Sequence, residues 1–164
     1  MKRTLIIMRH GKSSWEHLVD DIDRPLNERG INGVHTVAGR LAAAGFIPEK
    51  AISSPAVRAL HTAEMVIRIT GMQQNSLSIV NGLYLADVTD IFKFIAATES
   101  SVRSLALFGH NPGFTDLANC FFKDGIDNLP TAGVVAVTFD TSAWSEISKD
   151  KVVDIYFDYP KKQI

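Results

Sequence analysis

Arg9 and His10 stand at the end of an uninterrupted apolar run, Leu5-Ile6-Ile7-Met8, and this junction is where the sequence first offers chemistry. A neutral imidazole carries a lone pair able to act as a nucleophile. A guanidinium beside it gives a forked, permanently charged grip on phosphate. Four apolar residues in a row suit a strand covered on both faces of a parallel sheet, not one with a wet side. In an open α/β sheet, the carboxyl ends of such strands are where ligands lie. Gly11 then permits a tight turn and close backbone approach. A second strand-end histidine, His110, follows the apolar stretch Ser104 to Phe108 and Gly109.

A further cation, Arg58, lies in Ser53-Ser54-Pro55-Ala56-Val57-Arg58-Ala59-Leu60-His61-Thr62-Ala63-Glu64. Pro55 suits the first turn of a helix running from Ala56 to about Ile69, with Leu60, Ala63, Val66 and Ile67 inward. Arg58 then sits at the positive end of that helix, among free backbone N–H groups. Taken alone, such an arginine is ordinarily a solvated charge.

The elements that must position these residues alternate between strand and helix. An acid-rich loop from Glu16 to Arg24 leads to a helix capped by Asn27 and running to Ala44. Val34, Val37, Leu41 and Ala42 face inward on it, and Gly45 closes it, while Gly30, Gly33 and Gly39 weaken it. A short strand spans Lys50 to Ser53, and a longer one Ser76 to Tyr84. A helix from Val88 to Thr98 turns Ile91, Phe92, Ile95 and Ala96 inward, with Asp87, Thr89 and Asp90 at its start. Another from Gly113 to Phe122 buries Leu117, Ala118 and Phe121, with Cys120 as a buried thiol. Two strands, Gly133 to Asp140 and Lys151 to Tyr159, end the chain, and Trp144 anchors the turn between them. This alternation predicts a three-layer α/β/α arrangement: a mainly parallel sheet with helices on both faces. At 164 residues, the length suits one domain, residues 1–164.

With the three motif segments together, Arg9-His10-Gly11, the Ser53 to Glu64 stretch, and Leu107-Phe108-Gly109-His110-Asn111-Pro112-Gly113, the chain resembles the histidine phosphatase superfamily, and most closely its short SixA-type phosphohistidine phosphatases. Asp21, Arg24, Pro25 and Leu26 match that group's D-x-x-R-P-L loop. The resemblance implies a phosphoglycerate mutase-like fold and a phosphatase working through a phosphohistidine at His10. Arg9, Arg58 and a protonated His110 would supply positive charge to the phosphoryl oxygens, and Ser13 would assist in binding. Phosphoryl transfer asks mainly for such alignment and charge, so no metal or other cofactor is implied. The general acid is left among Asp21, Glu16 and Asp87, with Asp21 preferred because its loop matches. Glu16 stands where longer mutase-like relatives carry asparagine. The stretch between Tyr84 and Ser104 is too short for the mutases' lid insertion plus its own helix. The implied substrate is a phosphorylated protein or a small phosphorylated molecule. A phosphate-recognising binding module without turnover is the alternative outside enzymology, but it has no need of an attacking histidine.

Other chemistries fit the letters poorly. A Walker A loop ending at Gly11-Lys12-Ser13 would need glycine at position 6, which is Ile6. A Cys-x5-Arg phosphatase loop from Cys120 would need arginine where Ile126 stands. His10, His17, His35, His61 and His110 show no compact metal-ligand spacing; His35 and His61 read as ordinary helix residues, and His17 has no task. A formal charge of −1, with 46% hydrophobic and 21% charged residues, gives no basic excess for nucleic-acid binding. No run approaches membrane-spanning length, and the short N-terminal apolar run is broken too early for a secretory signal. A lone cysteine excludes an internal disulfide and agrees with a cytoplasmic setting.

Overall fold

The computed structural model describes residues 1–163. Six strands, β1 (Lys2–Arg9), β2 (Lys50–Ser53), β3 (Leu77–Ile79), β4 (Ser104–Gly109), β5 (Val134–Asp140) and β6 (Val152–Asp158), form one sheet in the order β3-β2-β4-β1-β5-β6. The sheet is mixed. The four strands from β3 to β1 are mutually parallel, whereas β5 pairs antiparallel with both β1 and β6. Helices α1 (Glu28–Ala43) and α2 (Val57–Thr70) cover one face, and α3 (Val88–Ala96) and α4 (Gly113–Asn119) cover the other.

The apolar run of β1 serves both layers. Ile6 and Met8 pack with Val34, Val37 and Leu41 of α1 and with Val66 and Ile67 of α2. Leu5 and Ile7 point the other way, toward Ile91 and Ile95 of α3 and Phe114 and Leu117 of α4. All four are fully buried, as the period-2 alternation of a strand between two helical layers requires.

Local signals account for the element ends. Asn27 caps α1 by accepting from the Gly30 N–H at 2.8 Å, a contact worth about 1 kcal/mol. Gly45, just past α1, has φ of 89°, the left-handed conformation that closes helices. Gly30 is needed for close approach: a Cβ there would lie 2.0 Å from the Lys12 carbonyl oxygen. That contact seats the loop after β1 on the start of α1.

Several expectations need correction. The strand expected over Ser76 to Tyr84 shrinks to three residues, because β2, its only neighbour, is itself four residues long, and Asn81–Leu83 turns into a 3-10 helix. Pro55 precedes Ala56, the N-cap of α2, and so lies outside the first turn. Ala96 is exposed at the frayed end of α3, and Ala42 and Leu60 are only half-buried. Cys120 is exposed, not buried. It shares a helix face with exposed Asp116, one turn earlier, and its Sγ donates to the Asp116 carbonyl at 3.3 Å. Burial still pushes its thiol pKa up, aided by the Asp116 charge.

Candidate active site

Strand register explains how residues far apart in sequence meet. Arg9 pairs with Gly109 across β1 and β4, and Ser53 with Phe108 across β2 and β4. The pairing continues one residue beyond: the His10 N–H donates to the Gly109 carbonyl at 3.1 Å, and the Ser54 N–H to the Phe108 carbonyl at 3.0 Å. His10, Ser54 and His110 therefore leave the carboxyl edge of three parallel strands side by side. A loop from the opposite flank holds this edge. The Ala132 N–H donates to the His10 carbonyl at 2.9 Å, and Arg9 Nη1 to the Leu129 carbonyl at 2.9 Å. Ala132 has φ of 59°, a left-handed conformation that non-glycine residues rarely adopt.

His10 is buried and its tautomer follows from its partners. Nδ1 lies 2.6 Å from the Gly11 carbonyl oxygen, which can only accept, so Nδ1 carries the proton. The lone pair is left on Nε2, facing Arg58 Nε at 3.4 Å. Burial, and then the charges of Arg58, Arg9 and Arg24, push the His10 pKa down to about 4, with the Gly11 carbonyl opposing. At neutral pH the ring is thus uncharged and oriented, with the Nε2 lone pair turned toward Arg58. Thr62 locks the surrounding backbone, accepting from the Gly11 N–H at 3.1 Å and donating to the Arg58 carbonyl at 2.7 Å.

Arg58 lies in the first turn of α2 and is 3% exposed, so it is no solvated surface charge. Its Nη2 donates to His110 Nδ1 at 3.4 Å. That leaves the His110 proton on Nε2, which lies 2.7 Å from Ser54 Oγ. The two histidine rings are 5.3 Å apart between centroids. Burial first, then His10 and Arg58, push the His110 pKa down to about 3. Burial first, and then the neighbouring imidazole and arginines, thus favour a neutral His110 in the free protein. The Asp21 carboxylate opposes this shift, and an incoming anion would add further negative charge that favours the protonated ring.

Asp21 comes to the same cluster from a 3-10 turn (Asp21–Asp23). Its Oδ2 accepts from Arg58 Nη2 at 3.0 Å and from the Tyr84 hydroxyl, and its Oδ1 accepts from Arg24 Nε at 3.1 Å. The Tyr84 hydrogen bond, followed by Arg58 and Arg24, holds the carboxyl pKa down at about 2. A general acid needs the reverse, a carboxyl kept protonated near neutrality. The other two acids are no better placed. Asp87 caps α3, accepting from the Asp90 N–H at 2.9 Å, and Glu16 is exposed on the loop after Trp15.

A hollow of about 400 Å³ opens beside His10, lined by Arg9, Lys12, Ser13, Trp15 and Arg24 among others. Ser13 is half-buried here and bridges to Leu26, so its side chain reaches the hollow while its backbone is held. Arg24 is buried and stacks against the Trp15 ring, 3.4 Å from its centroid. Sequence reasoning did not assign Ser54, Thr62, Arg24 or Tyr84 a task. The first two lie inside the Arg58 segment, so hydroxyls near a motif arginine were the available signal; Tyr84 had none. His17 and His35 are exposed and His61 half-buried, outside the cluster. Among the described residues, no three His, Cys, Asp or Glu side chains come together as a metal would need. Among the described residues, no helix is long and apolar enough to cross a membrane.

Residues 5–83 match the family model for the histidine phosphatase superfamily, branch 1. A structure of a candidate phosphohistidine phosphatase SixA from Agrobacterium tumefaciens is 26% identical, with a TM-score of 0.75 over 82% of this chain and 90% of that one. The protein histidine phosphatase SixA complexed with tungstate is 23% identical, with a TM-score of 0.75 over 94% of each chain. A mycobacterial glucosyl-3-phosphoglycerate phosphatase is 17% identical, with a TM-score of 0.61 over 82% of this chain and 92% of that one. The last two likenesses bear on the fold alone.

Proposed function

We propose that this chain, which matches the histidine phosphatase superfamily over residues 5–83 and resembles a SixA-type phosphatase in fold, acts on phosphohistidine carried on a protein, cleaved through a phosphohistidine intermediate at His10. His10 Nε2 attacks phosphorus in line as the bond to the leaving group breaks, and water later takes the phosphoryl group to free phosphate. Arg9 and Arg58 face the equatorial oxygens, and His110 takes up a proton as the dianion arrives.

The observation that carries the choice of substrate is the state of Asp21. With its carboxyl held ionised by Tyr84, Arg58 and Arg24, it has no proton to give at neutral pH. An alkoxide leaving group is strongly basic and needs one. A phosphohistidine ring can carry a proton on its distal nitrogen before the P–N bond breaks, so it leaves as neutral imidazole; histidine's ordinary pKa is about 6.5. An enzyme of this kind loses little on phosphohistidine and much on alkyl esters.

Rates of phosphate release decide the matter. The expected result is a higher kcat/KM for phosphohistidine protein than for glycerate or sugar phosphates. A better rate on a small alkyl phosphate would favour the alternative, a small-molecule phosphomonoesterase of the same superfamily. Binding of phosphohistidine without turnover would leave a recognition module.

A further inference from the structure

We infer that a cationic trough leading away from His10 is the docking surface for an acidic stretch flanking the phosphorylated side chain of a protein substrate. The inference rests on the phosphohistidine-protein reading above and adds the chemistry by which the partner is recognised.

The hollow at His10 does not end there. A second hollow of about 270 Å³ is lined by Lys12, Arg29, Thr131, Pro160 and Lys161, and a third of about 290 Å³ by Lys12, Thr131, Tyr159 and Lys161. Lys12 and Thr131 border all three, so the hollows adjoin one another from His10 to Tyr159, Pro160 and Lys161. No aspartate or glutamate lines any part of it. Among the described residues, Lys12, Arg29 and Lys161 form no ion pair. Yet the chain as a whole has 18 acids against 17 lysines and arginines, so this local absence of carboxylates is not a product of overall composition. Exposed cations gathered without counter-charge repel one another, and an anionic ligand relieves that repulsion and is drawn in by it.

The transferring phosphoryl group already has Arg9 and Arg58. Lys12, Arg29 and Lys161 are therefore free for other negative groups. An elongated trough of linked hollows suits an extended chain better than a compact molecule. On the other side of the His10 hollow stand Trp15, 79% exposed, and on the same loop Leu18 and Val19, also exposed. Exposed apolar groups beside a charged trough fit a protein surface more than a small polar substrate.

The test compares two peptides that carry a non-hydrolysable phosphohistidine analogue, one flanked by glutamates and one by glutamines, with binding read by fluorescence anisotropy. The acidic peptide is expected to bind roughly tenfold tighter, as a few exposed ion pairs would give. The difference should disappear in the Arg29→Glu, Lys161→Glu double variant, and in the wild-type protein at high salt. Thermal unfolding of the double variant should stay cooperative with a midpoint close to the wild type's, which shows that it is folded. Equal binding of both peptides by the wild type, binding of neither, or a preference that survives charge reversal would overturn the inference. Turnover of phosphohistidine protein is measured separately: its absence overturns the proposed reaction, whereas turnover without acidic preference overturns only the docking surface.

Discussion

Asp21 holds Arg58 twice, its carbonyl accepting from Nη1 at 2.6 Å and its Oδ2 from Nη2 at 3.0 Å. The guanidinium that faces both histidines is thus already engaged by a carboxylate, which must share it with any phosphate that arrives. Asp21→Asn keeps the size and the carbonyl contact but removes the negative charge. Tungstate should bind about fivefold tighter to this variant, in keeping with a partly exposed charge. Its effect on kcat/KM should be the same for phosphohistidine and alkyl phosphate. A loss confined to the alkyl ester would restore Asp21 as a proton donor.

Arg58→Ala removes a charge-assisted contact from the site. Tungstate affinity should fall by about 1.5 to 3 kcal/mol, measured by calorimetry on protein whose thermal unfolding remains cooperative. Unchanged affinity would make Arg58 a structural residue that only ties Asp21 to α2.

Anion binding should carry a proton with it. His110 is neutral in the free protein, its pKa pushed down to about 3, and a bound dianion beside it favours the charged ring. Sulfate, which does not itself titrate near neutrality, should therefore bind more weakly as pH rises. Calorimetry in buffers of different ionisation enthalpy should show net proton uptake on binding at pH values between the free and the bound pKa of His110. Binding without proton uptake would mean that His110 acts as a neutral hydrogen-bonding group throughout.

The same two histidines set the pH dependence of stability. Both have folded pKa values, about 4 for His10 and about 3 for His110, below the ordinary 6.5. Above the unfolded value they are neutral in both states. As pH falls through it, the unfolded chain takes up protons that the folded site refuses, so stability declines. Asp21, depressed to about 2 from 3.8, adds a loss only at lower pH. Relative to its own stability at neutral pH, the His10→Gln, His110→Gln variant should retain on the order of 4 kcal/mol more than the wild type at about pH 5, about 2 from each ring. Urea unfolding at the two pH values measures the difference; identical declines would contradict the neutral assignments.

Much of this site was legible in the sequence because it depends on strand ends. The apolar run before His10 and the one before His110 mark two strands of a mainly parallel sheet, and the structure pairs them side by side so that the register brings the rings together. Asn27 and Gly45 were readable because capping is local. What the letters did not reveal depends on three-dimensional crowding. His110 is held neutral by burial and then by His10 and Arg58 around it, and the Asp21 carboxyl pKa is held down because Tyr84 and Arg58 reach it from other elements. The strand expected over Ser76 to Tyr84 is cut short because strand length is set by the neighbour, and β2 is short. Cys120 shows that apolar character alone does not place a residue inside when its helix face is the wet one.

The most direct measurement is to mix the protein with phosphohistidine substrate, quench within a turnover, and locate covalent phosphate by mass spectrometry under alkaline conditions, where a phosphoramidate survives. Phosphate on His10 in the wild-type protein, and none on any residue of a folded His10→Ala variant that has also lost turnover, is the expected result. Phosphate on another side chain, or full turnover in His10→Ala, would contradict attack by His10.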